Sequence, residues 1–289
     1  MTAVAERSAR DQDPAAEHHV YEPHPIGLPP MGKYLRTLWD RRQFAYELSR
    51  ANLRVQHYNT ALGQLWLVLN PVLLGLIYFI LVYIIGGGSR GIGFLAHLML
   101  GLFAFRLVST SVSQGARSVV RGGRLILNTA FPRTLLPLSS VLISLGQFLP
   151  TLIVYAVIHA VAGLPVGWQL LWTIPLLALF VVFAAGATML AATAQVYFRD
   201  FANLLPYLTR IWLYLSPVLY YANEVPDKFK PLMAINPLYP LIATLSDVVN
   251  QGQSPRPGYL LWGLASAVVT FLVGALIFIS REREFAVRI

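Results

Sequence analysis

The stretch LWLVLNPVLLGLIYFILVYII, residues 65–85, contains no acidic, basic or histidine side chain. An α-helix needs about 20 apolar residues to cross a hydrocarbon core roughly 30 Å thick. Other mostly apolar stretches of this kind lie at about residues 94–114, 138–161, 171–194, 204–221 and 259–279. The sequence therefore predicts an all-α integral membrane protein with six transmembrane helices.

The composition agrees with a membrane protein and excludes several other classes. Of the 289 residues, 56% are hydrophobic and 12% are charged, whereas about a quarter of a soluble domain is charged. We attribute the net charge of +9 to basic residues that set the orientation in the membrane and contact anionic lipid, because the sequence shows no basic stripe on a soluble domain. We therefore expect no nucleic-acid partner. The lack of cysteine excludes disulfides, thiolate metal sites and thiol nucleophiles.

The basic residues predict the orientation of the chain. Most of the lysines and arginines outside the spans fall on one side of the membrane, chiefly within residues 33–54 and 117–133. The positive-inside rule places that side in the cytoplasm. We therefore expect a multi-pass protein of the plasma (inner) membrane with both termini cytoplasmic.

Two segments outside the spans have distinct predicted roles. Residues 1–30 are polar and proline-rich, which predicts a disordered cytoplasmic tail before a transmembrane domain over residues 31–289. From 31 to 51, apolar and basic residues alternate at helical spacing, as in an amphipathic helix lying in the membrane interface. A soluble helix packed on a partner is the alternative. The apolar segment 237–249 is too short to cross and predicts a re-entrant or interfacial helix.

The chain lacks the residues that membrane enzymes and proton-coupled carriers use. All of its acids lie outside the predicted spans, and no cluster of metal ligands lies within them. The glycine pattern at 27–33 has two prolines where phosphate-binding amides are needed, and the pattern at 86–91 has no βαβ unit around it. We therefore predict no catalytic residue, no metal and no cofactor bound by this chain, so any ATP and Mg must come through a partner ATPase.

Five motifs follow one another in order along the chain. They are T-x-L-G-x-L-W with a later proline (60–71), N-x-x-F-P-R with L-P-L-S (128–139), F-R-D (198–200), S-P-V (216–218) and N-P-L-x-P (236–240). This order resembles the permease subunit of ABC-2 type exporters, which move O-antigen, teichoic acid and related polysaccharides. The strong preference for arginine over lysine suggests the actinobacterial branch, which includes a lipid-linked galactan exporter.

The resemblance implies an architecture and partners. The family fold, similar to type V exporters, is a homodimer of six-helix subunits with one channel between them. Two copies of a separate ABC ATP-binding subunit lie below it, and paired gate helices between spans 5 and 6 close its outer side. The implied cargo is a polysaccharide linked to polyprenyl pyrophosphate, moved from the cytoplasm to the outer side.

The resemblance also implies a helix between spans 2 and 3 that docks on the ATPase. Its candidate coupling residues are Arg121, Arg124, Leu125, Ile126 and Phe131. They combine charge with apolar anchors, as docking surfaces do. A loop that only binds anionic headgroups is the alternative.

Two arginines, Arg106 and Arg210, lie within predicted spans, at similar depth in the inner half of the membrane. Charges at such positions usually mark a pathway or an interface, and arginine binds pyrophosphate through forked hydrogen bonds. We predict that both form part of a substrate entry site; snorkelling to inner-leaflet phosphates is the alternative. The candidate channel-lining aromatics are Phe103, Phe105, Tyr207 and Tyr214, for which an interfacial aromatic belt is the alternative.

Other functions stay open at this point. An ABC-2 exporter of a drug or small lipid would have the same fold. A membrane glycosyltransferase would need catalytic acids near one membrane face, and only a few acids lie outside the spans on the outer side.

Overall fold

The computed structural model describes residues 29–56, 60–86 and 90–288, and within these ranges the chain is helical with no strand. The helices are α1 (Met31–Asp40), α2 (Arg42–Val55), α3 (Trp66–Ile85), α4 (Ile92–Ala116), α5 (Ser118–Arg121), α6 (Gly123–Asn128), α7 (Leu135–Val161), α8 (Thr173–Tyr197), α9 (Phe201–Leu215), α10 (Lys230–Ala234), α11 (Tyr239–Val249), α12 (Pro257–Arg281) and α13 (Phe285–Arg288). Short 3₁₀ turns cover Gly63–Leu65, Trp168–Trp172, Ala222–Glu224, Asp227–Phe229 and Glu282–Glu284. The predicted disordered tail falls almost wholly on residues 1–28, outside the described ranges.

Five helical segments of the described chain are long and apolar enough to cross a membrane. They are Gly63–Ile85, Ile92–Ala116, Leu135–Val161, Trp168–Tyr197 and Pro257–Arg288. The prediction of apolar spans near these positions is therefore confirmed.

The predicted fifth span, 204–221, is a shorter element. It forms α9, which has 15 residues and at 1.5 Å per residue is only about 22 Å long. The helix ends because Ser216 has extended backbone angles (φ −95°, ψ 145°) and a proline follows, which disfavours the helical conformation in the residue before it. The prediction of a sixth crossing helix therefore remains a prediction.

The helix α4 forms the centre of the bundle. In its most apolar stretch 72% of the residues are buried, against 11% for α3 and 17% for α12. Its buried side chains, among them Phe103 and Leu107, belong to one core with Phe180 and Phe183 of α8. The peripheral helices α3 and α12 consequently present apolar faces to their surroundings.

The helices α8 and α12 cross in close contact at two glycines. A Cβ atom on Gly186 would lie 2.4 Å from the Thr270 carbonyl oxygen and 2.5 Å from the Phe271 nitrogen. A Cβ on Gly274 would lie 2.2 Å from the Gly186 carbonyl oxygen. Small residues allow this approach, and packing of this kind holds membrane helices together because hydrophobic burial drives their association weakly in lipid.

One end of the bundle, which we call the basic end, carries α1, α2, α5, α6 and α13. The predicted segment 31–51 is indeed helical, and α2 packs on α7, where a Cβ on Gly146 would meet Leu53. The aromatic ring of Phe44 lies 5.1 Å from that of Phe131. The segment is thus packed on its own chain along part of its length, and its placement in a membrane interface remains a prediction.

The opposite end, which we call the cap end, carries α10 and α11. The segment predicted as re-entrant forms α11, and every one of its residues is buried within the protein. It packs against α4, α8 and α12. A short helix enclosed on all sides in this way has its backbone shielded by protein.

Candidate transport path and partner surface

Arg106 lines a small cavity between α3, α4 and α7. The cavity has a volume of about 50 Å³, and its polar lining includes Asn70, Thr110, Ser144 and Gln147. No carboxylate forms an ion pair with Arg106 in the described part of the chain. An unpaired guanidinium in a polar cavity is suited to receive an anion, because its five N–H donors remain available.

Arg210 lies in a different cleft, between α3, α4 and α9. Tyr78, Phe105 and Ser109 line this cleft together with Arg210, and its volume is about 330 Å³. The side chain of Arg210 is exposed on α9. Its surroundings are therefore open and amphipathic.

The structure does not bring the two arginines into one site within a single chain. Arg106 faces the first cleft, whereas the preceding residue, Phe105, lines the cleft of Arg210. Consecutive helical residues point about 100° apart because the α-helix has 3.6 residues per turn. Within one copy of the described chain the two arginines therefore line separate clefts on different faces of α4, and their role in substrate entry remains a prediction.

The four candidate aromatics also divide into two pairs. Phe103 and Phe105 are only 2% and 5% exposed, whereas Tyr207 and Tyr214 on α9 lie at the surface. Phe105 packs edge-on against Trp212 with ring centroids 6.0 Å apart. Phe103 and Phe105 are therefore core side chains that border the clefts, and the tyrosines are the ones free to meet a partner or lipid.

A large groove opens at the basic end between α2, α5, α6 and α7. It has a volume of about 820 Å³, and the predicted coupling residues Arg121, Arg124 and Leu125 line it. Ile126 is buried in a small core with Phe278 and Phe285, so it is not an accessible anchor. The helix α6 turns that side chain inward, and a role for Ile126 in coupling remains a prediction.

The next residue, Leu127, is an apolar side chain that the sequence interpretation missed. It is 67% exposed and lies three positions after Arg124, so both project from the same face of the short helix α6. The spacing of three positions between Arg124 and Leu127 is visible in the sequence and could have identified Leu127 as part of this face. The accessible surface of this segment is therefore a mixture of arginine and leucine, while Phe131 is half-buried against Phe44.

Glu282 joins three elements of the basic end. Its carboxylate accepts hydrogen bonds from the Tyr34 hydroxyl and the Arg133 backbone N–H, and the Arg133 guanidinium donates to the Glu282 carbonyl oxygen. Tyr34 also lies 2.6 Å from the Thr134 hydroxyl. Burial and the neighbouring carboxylate raise the pKa of Tyr34, so its hydroxyl remains protonated and able to donate.

The cap end is held by Asn236 of the N-P-L-x-P motif. The Trp212 indole N–H donates to the Asn236 Oδ1 at 2.8 Å, and the Leu238 N–H donates to the same oxygen at 3.0 Å. The Asn236 Nδ2 donates to the Leu215 carbonyl oxygen at 3.0 Å and to the Ser216 Oγ at 2.9 Å. This one amide connects the end of α9 to the segment that leads into α11.

A second contact at the cap end joins Arg90 to Glu224. The guanidinium donates two hydrogen bonds to the carboxylate, at 2.8 and 3.1 Å, and lies 4.5 Å from the Phe94 ring centroid. Burial opposes ionisation of Glu224, but the Arg90 hydrogen bonds, the Tyr221 backbone N–H and the Arg90 charge outweigh it and lower the pKa of Glu224. The pair is therefore ionic at neutral pH.

The two histidines within predicted spans lie in the interior, as packing residues do. His97 contacts the Ser246 hydroxyl at 2.7 Å and the Tyr220 carbonyl oxygen at 3.1 Å. His159 is 9% exposed and lies 5.9 Å from the Tyr155 ring. In the described part of the chain, no group of three histidine or acidic side chains is placed to hold a metal ion.

Comparison with known protein families identifies the family of this chain. The family described as ABC-2 type transporter matches residues 43–250. The chain belongs to the ABC-2 type transporter family. The match runs from α2 to the end of α11, so this ABC-2 transporter domain includes both arginine clefts, the groove and Asn236. The resemblance predicted from the five motifs is confirmed at the level of the family.

Curated relatives of this ABC-2 transporter chain extend over most of its length. The O-antigen export system permease protein RfbA of Klebsiella pneumoniae is 28% identical over 240 residues, which cover 83% of this chain and 92% of that protein. The O-antigen export system permease protein RfbA of Myxococcus xanthus is 27% identical over 258 residues, which cover 89% and 99%.

Proposed function

We propose that this chain is the transmembrane subunit of an ATP-driven exporter of a polysaccharide. The observation that carries the proposal is its similarity, over 83–89% of its length, to permeases named for O-antigen export. The chemistry of the described residues supports a transport subunit, because they contain polar clefts but no cluster of metal ligands. A separate ABC ATPase supplies ATP hydrolysis, with its Mg, from the cytoplasmic side.

In this proposal the working unit is a homodimer with two ATPase subunits. The exposed apolar faces of α3 and α9 support a second copy as the neighbour across the cleft of Arg210, and the channel lies between the two copies. The α9 face exposes Tyr207, Ile211 and Tyr214, which provides both apolar contact and aromatic faces for sugar rings. With α9 as the sixth crossing element both termini lie on the same side of the membrane, and the basic residues favour the cytoplasmic side.

The proposed substrate is a polysaccharide linked to polyprenyl pyrophosphate, with galactan as the candidate polymer. The pyrophosphate is the anionic part that the protein must hold within the membrane. Arg106 and Arg210 face two different clefts, so we assign them to successive positions of the anion rather than to one clamp. Forked guanidinium hydrogen bonds suit each position.

The proposed coupling surface is the face of α5 and α6 at the basic end. Arg121, Arg124 and the exposed Leu127 offer charge and an apolar anchor to the ATPase. The Glu282 contacts support this role because they tie the adjoining loop, at Arg133, to the C-terminal segment. Movement of α6 would then be transmitted to the membrane helices.

The test is export of surface polysaccharide in cells that carry the chain with one arginine neutralised. We expect Arg106→Gln and Arg210→Gln each to lower export by roughly ten- to a hundredfold, the cost of losing one or two charge-assisted hydrogen bonds. Co-purification of the ATPase should be unchanged, since neither side chain lies at the basic end. The control Arg36→Gln, on the exposed face of α1, should export normally. Normal export in both single variants and in the double variant would refute these roles.

A further inference from the structure

Gln56 borders two spaces that are otherwise separate. At the end of α2 it lines the large groove at the basic end together with Arg121. It also lines the small cavity that contains Arg106. Among the described residues, Gln56 is the one that lines both, so it marks the border between groove and cavity.

A hydrogen bond between two amides lies at this border. The Gln147 Nε2 of α7 donates to the Gln56 Oε1 at 2.7 Å in a partly buried position. The backbone of Gln56 is also held, because the Gln64 Nε2 donates to its carbonyl oxygen at 2.9 Å. A buried amide is costly without a partner, so the pair has a definite closed arrangement.

The two spaces differ in size. The groove, at about 820 Å³, is large enough for a headgroup. The Arg106 cavity, at about 50 Å³, accommodates only a few water molecules. A phosphate group that moves from the groove into this cavity needs more space than the cavity has, and separation of α2 from α7 would break the amide pair.

We propose that the Gln56–Gln147 pair is a selective gate, through which the phosphate group of a lipid carrier passes from the groove to Arg106. The proposal rests on the proposed function for the identity of the carrier. When the pair opens, the Gln147 Nε2 N–H that donates to the Gln56 Oε1 becomes available to a phosphate oxygen. The energy of the broken hydrogen bond is thereby offset for a phosphate ester, and it is not offset for an uncharged polyprenol.

Because the chain contains no cysteine, one introduced cysteine can be labelled specifically in this chain, and its rate of labelling measures access to the cavity. Thr110→Cys places a single thiol in the Arg106 cavity, since Thr110 lines it. In inverted membrane vesicles containing the full complex, the rate of modification by an anionic methanethiosulfonate reagent reports access from the cytoplasmic side. Gln147→Ala or Gln56→Ala is added to this background. Asn52→Ala is the matched control, because Asn52 lines the groove but not the cavity.

We expect each glutamine variant to raise the modification rate roughly fivefold, the population shift that one neutral hydrogen bond supports, and Asn52→Ala to leave it unchanged. Polyprenyl diphosphate should slow modification of the Thr110→Cys protein, while polyprenol should not. Equal rates in the glutamine variants and the control would overturn the gate. Equal protection by phosphatidylglycerol would overturn the assignment to the carrier and identify a general lipid-headgroup site. Thiol access does not depend on export, so failure here is distinguishable from failure of the Arg106 and Arg210 test.

Discussion

Replacement of Asn236 by alanine tests how the cap end is held together. The wild-type amide makes four hydrogen bonds and is 5% exposed. The substitution leaves the Trp212 and Leu238 N–H groups and the Leu215 carbonyl oxygen without this partner. A buried polar group left unsatisfied costs about 1–3 kcal/mol. Three such groups therefore give a predicted loss of roughly 3–5 kcal/mol, allowing for partial relaxation.

The assay for Asn236→Ala is thermal unfolding of the purified protein in detergent, followed by tryptophan fluorescence. For a chain of this size 1 kcal/mol corresponds to about 2–4 °C in Tm, so we expect a fall of about 10 °C. Asn223→Ala is the matched control, because Asn223 is exposed at the same cap end and should change Tm by about 1 °C or less. A fall of under about 2 °C for Asn236→Ala would refute the reasoning.

The same variant should also affect the centre of the bundle. The Trp212 ring, which Asn236 holds through the indole N–H, packs against Phe105 and Phe183 with centroids 6.0 and 5.9 Å apart. Loss of the anchor frees α9 to move against α4 and α8. Export should therefore fall even in preparations where the protein still assembles with its ATPase.

Gly186→Ala should destabilise the α8–α12 crossing by about 1–3 kcal/mol in the same unfolding assay, because its Cβ must move about 1 Å from the Phe271 backbone to reach ordinary contact. The control Gly258→Ala, on α12 with open space around it, should leave the stability unchanged. Equal Tm values for the two variants would contradict the packing argument. At neutral pH the Arg90 pair stabilises the cap end because it lowers the folded-state pKa of Glu224 below the ordinary value of 4.5. That stabilisation, at most about 1 kcal/mol for an exposed pair, is lost as the pH falls through the folded-state pKa, so the protection factors of residues 221–224 against hydrogen exchange, with each rate referred to the intrinsic rate at the same pH, should fall below pH 4.5 in wild type. Glu224→Gln should show the lower protection factors already at pH 7 and no further fall in acid; an acid-dependent fall of wild-type size in this variant would contradict the assignment.

The positions of the long membrane helices follow directly from the sequence, because an apolar stretch of about 20 residues is typical of a membrane-spanning helix. The sequence analysis placed the end of the fifth span at residue 221, whereas α9 ends at Leu215. Residues 216–221 are apolar enough to extend a span, although Ser216 and Pro217 end the helix. Hydrophobicity reports the burial of side chains. It does not report the backbone conformation at which a helix stops.

The contacts that define the candidate site could not be predicted in the same way. Gln147 meets Gln56 across 91 positions of the chain, and Glu282 meets Arg133 across 149. No local periodicity encodes such pairs, since each depends on how distant helices pack. The motif that contains Asn236 was recognisable by resemblance, but its physical role appears only when the Trp212 indole is placed beside it.

The separation of Arg106 and Arg210 makes the double variant informative about the path itself. Residues that act on one bound anion are coupled, so their combined effect departs from the sum of the single effects, whereas independent sites add within about 0.3–0.5 kcal/mol. The two arginines line separate clefts. Arg106 of α4 lines the first, and the preceding residue of α4, Phe105, lines the second together with Arg210. If the anion occupies the two clefts in succession and each step contributes to the barrier, the logarithmic losses in export should add in Arg106→Gln/Arg210→Gln. A double variant no worse than the poorer single variant would instead place both guanidinium groups on the same anion and would refute the assignment to two successive positions.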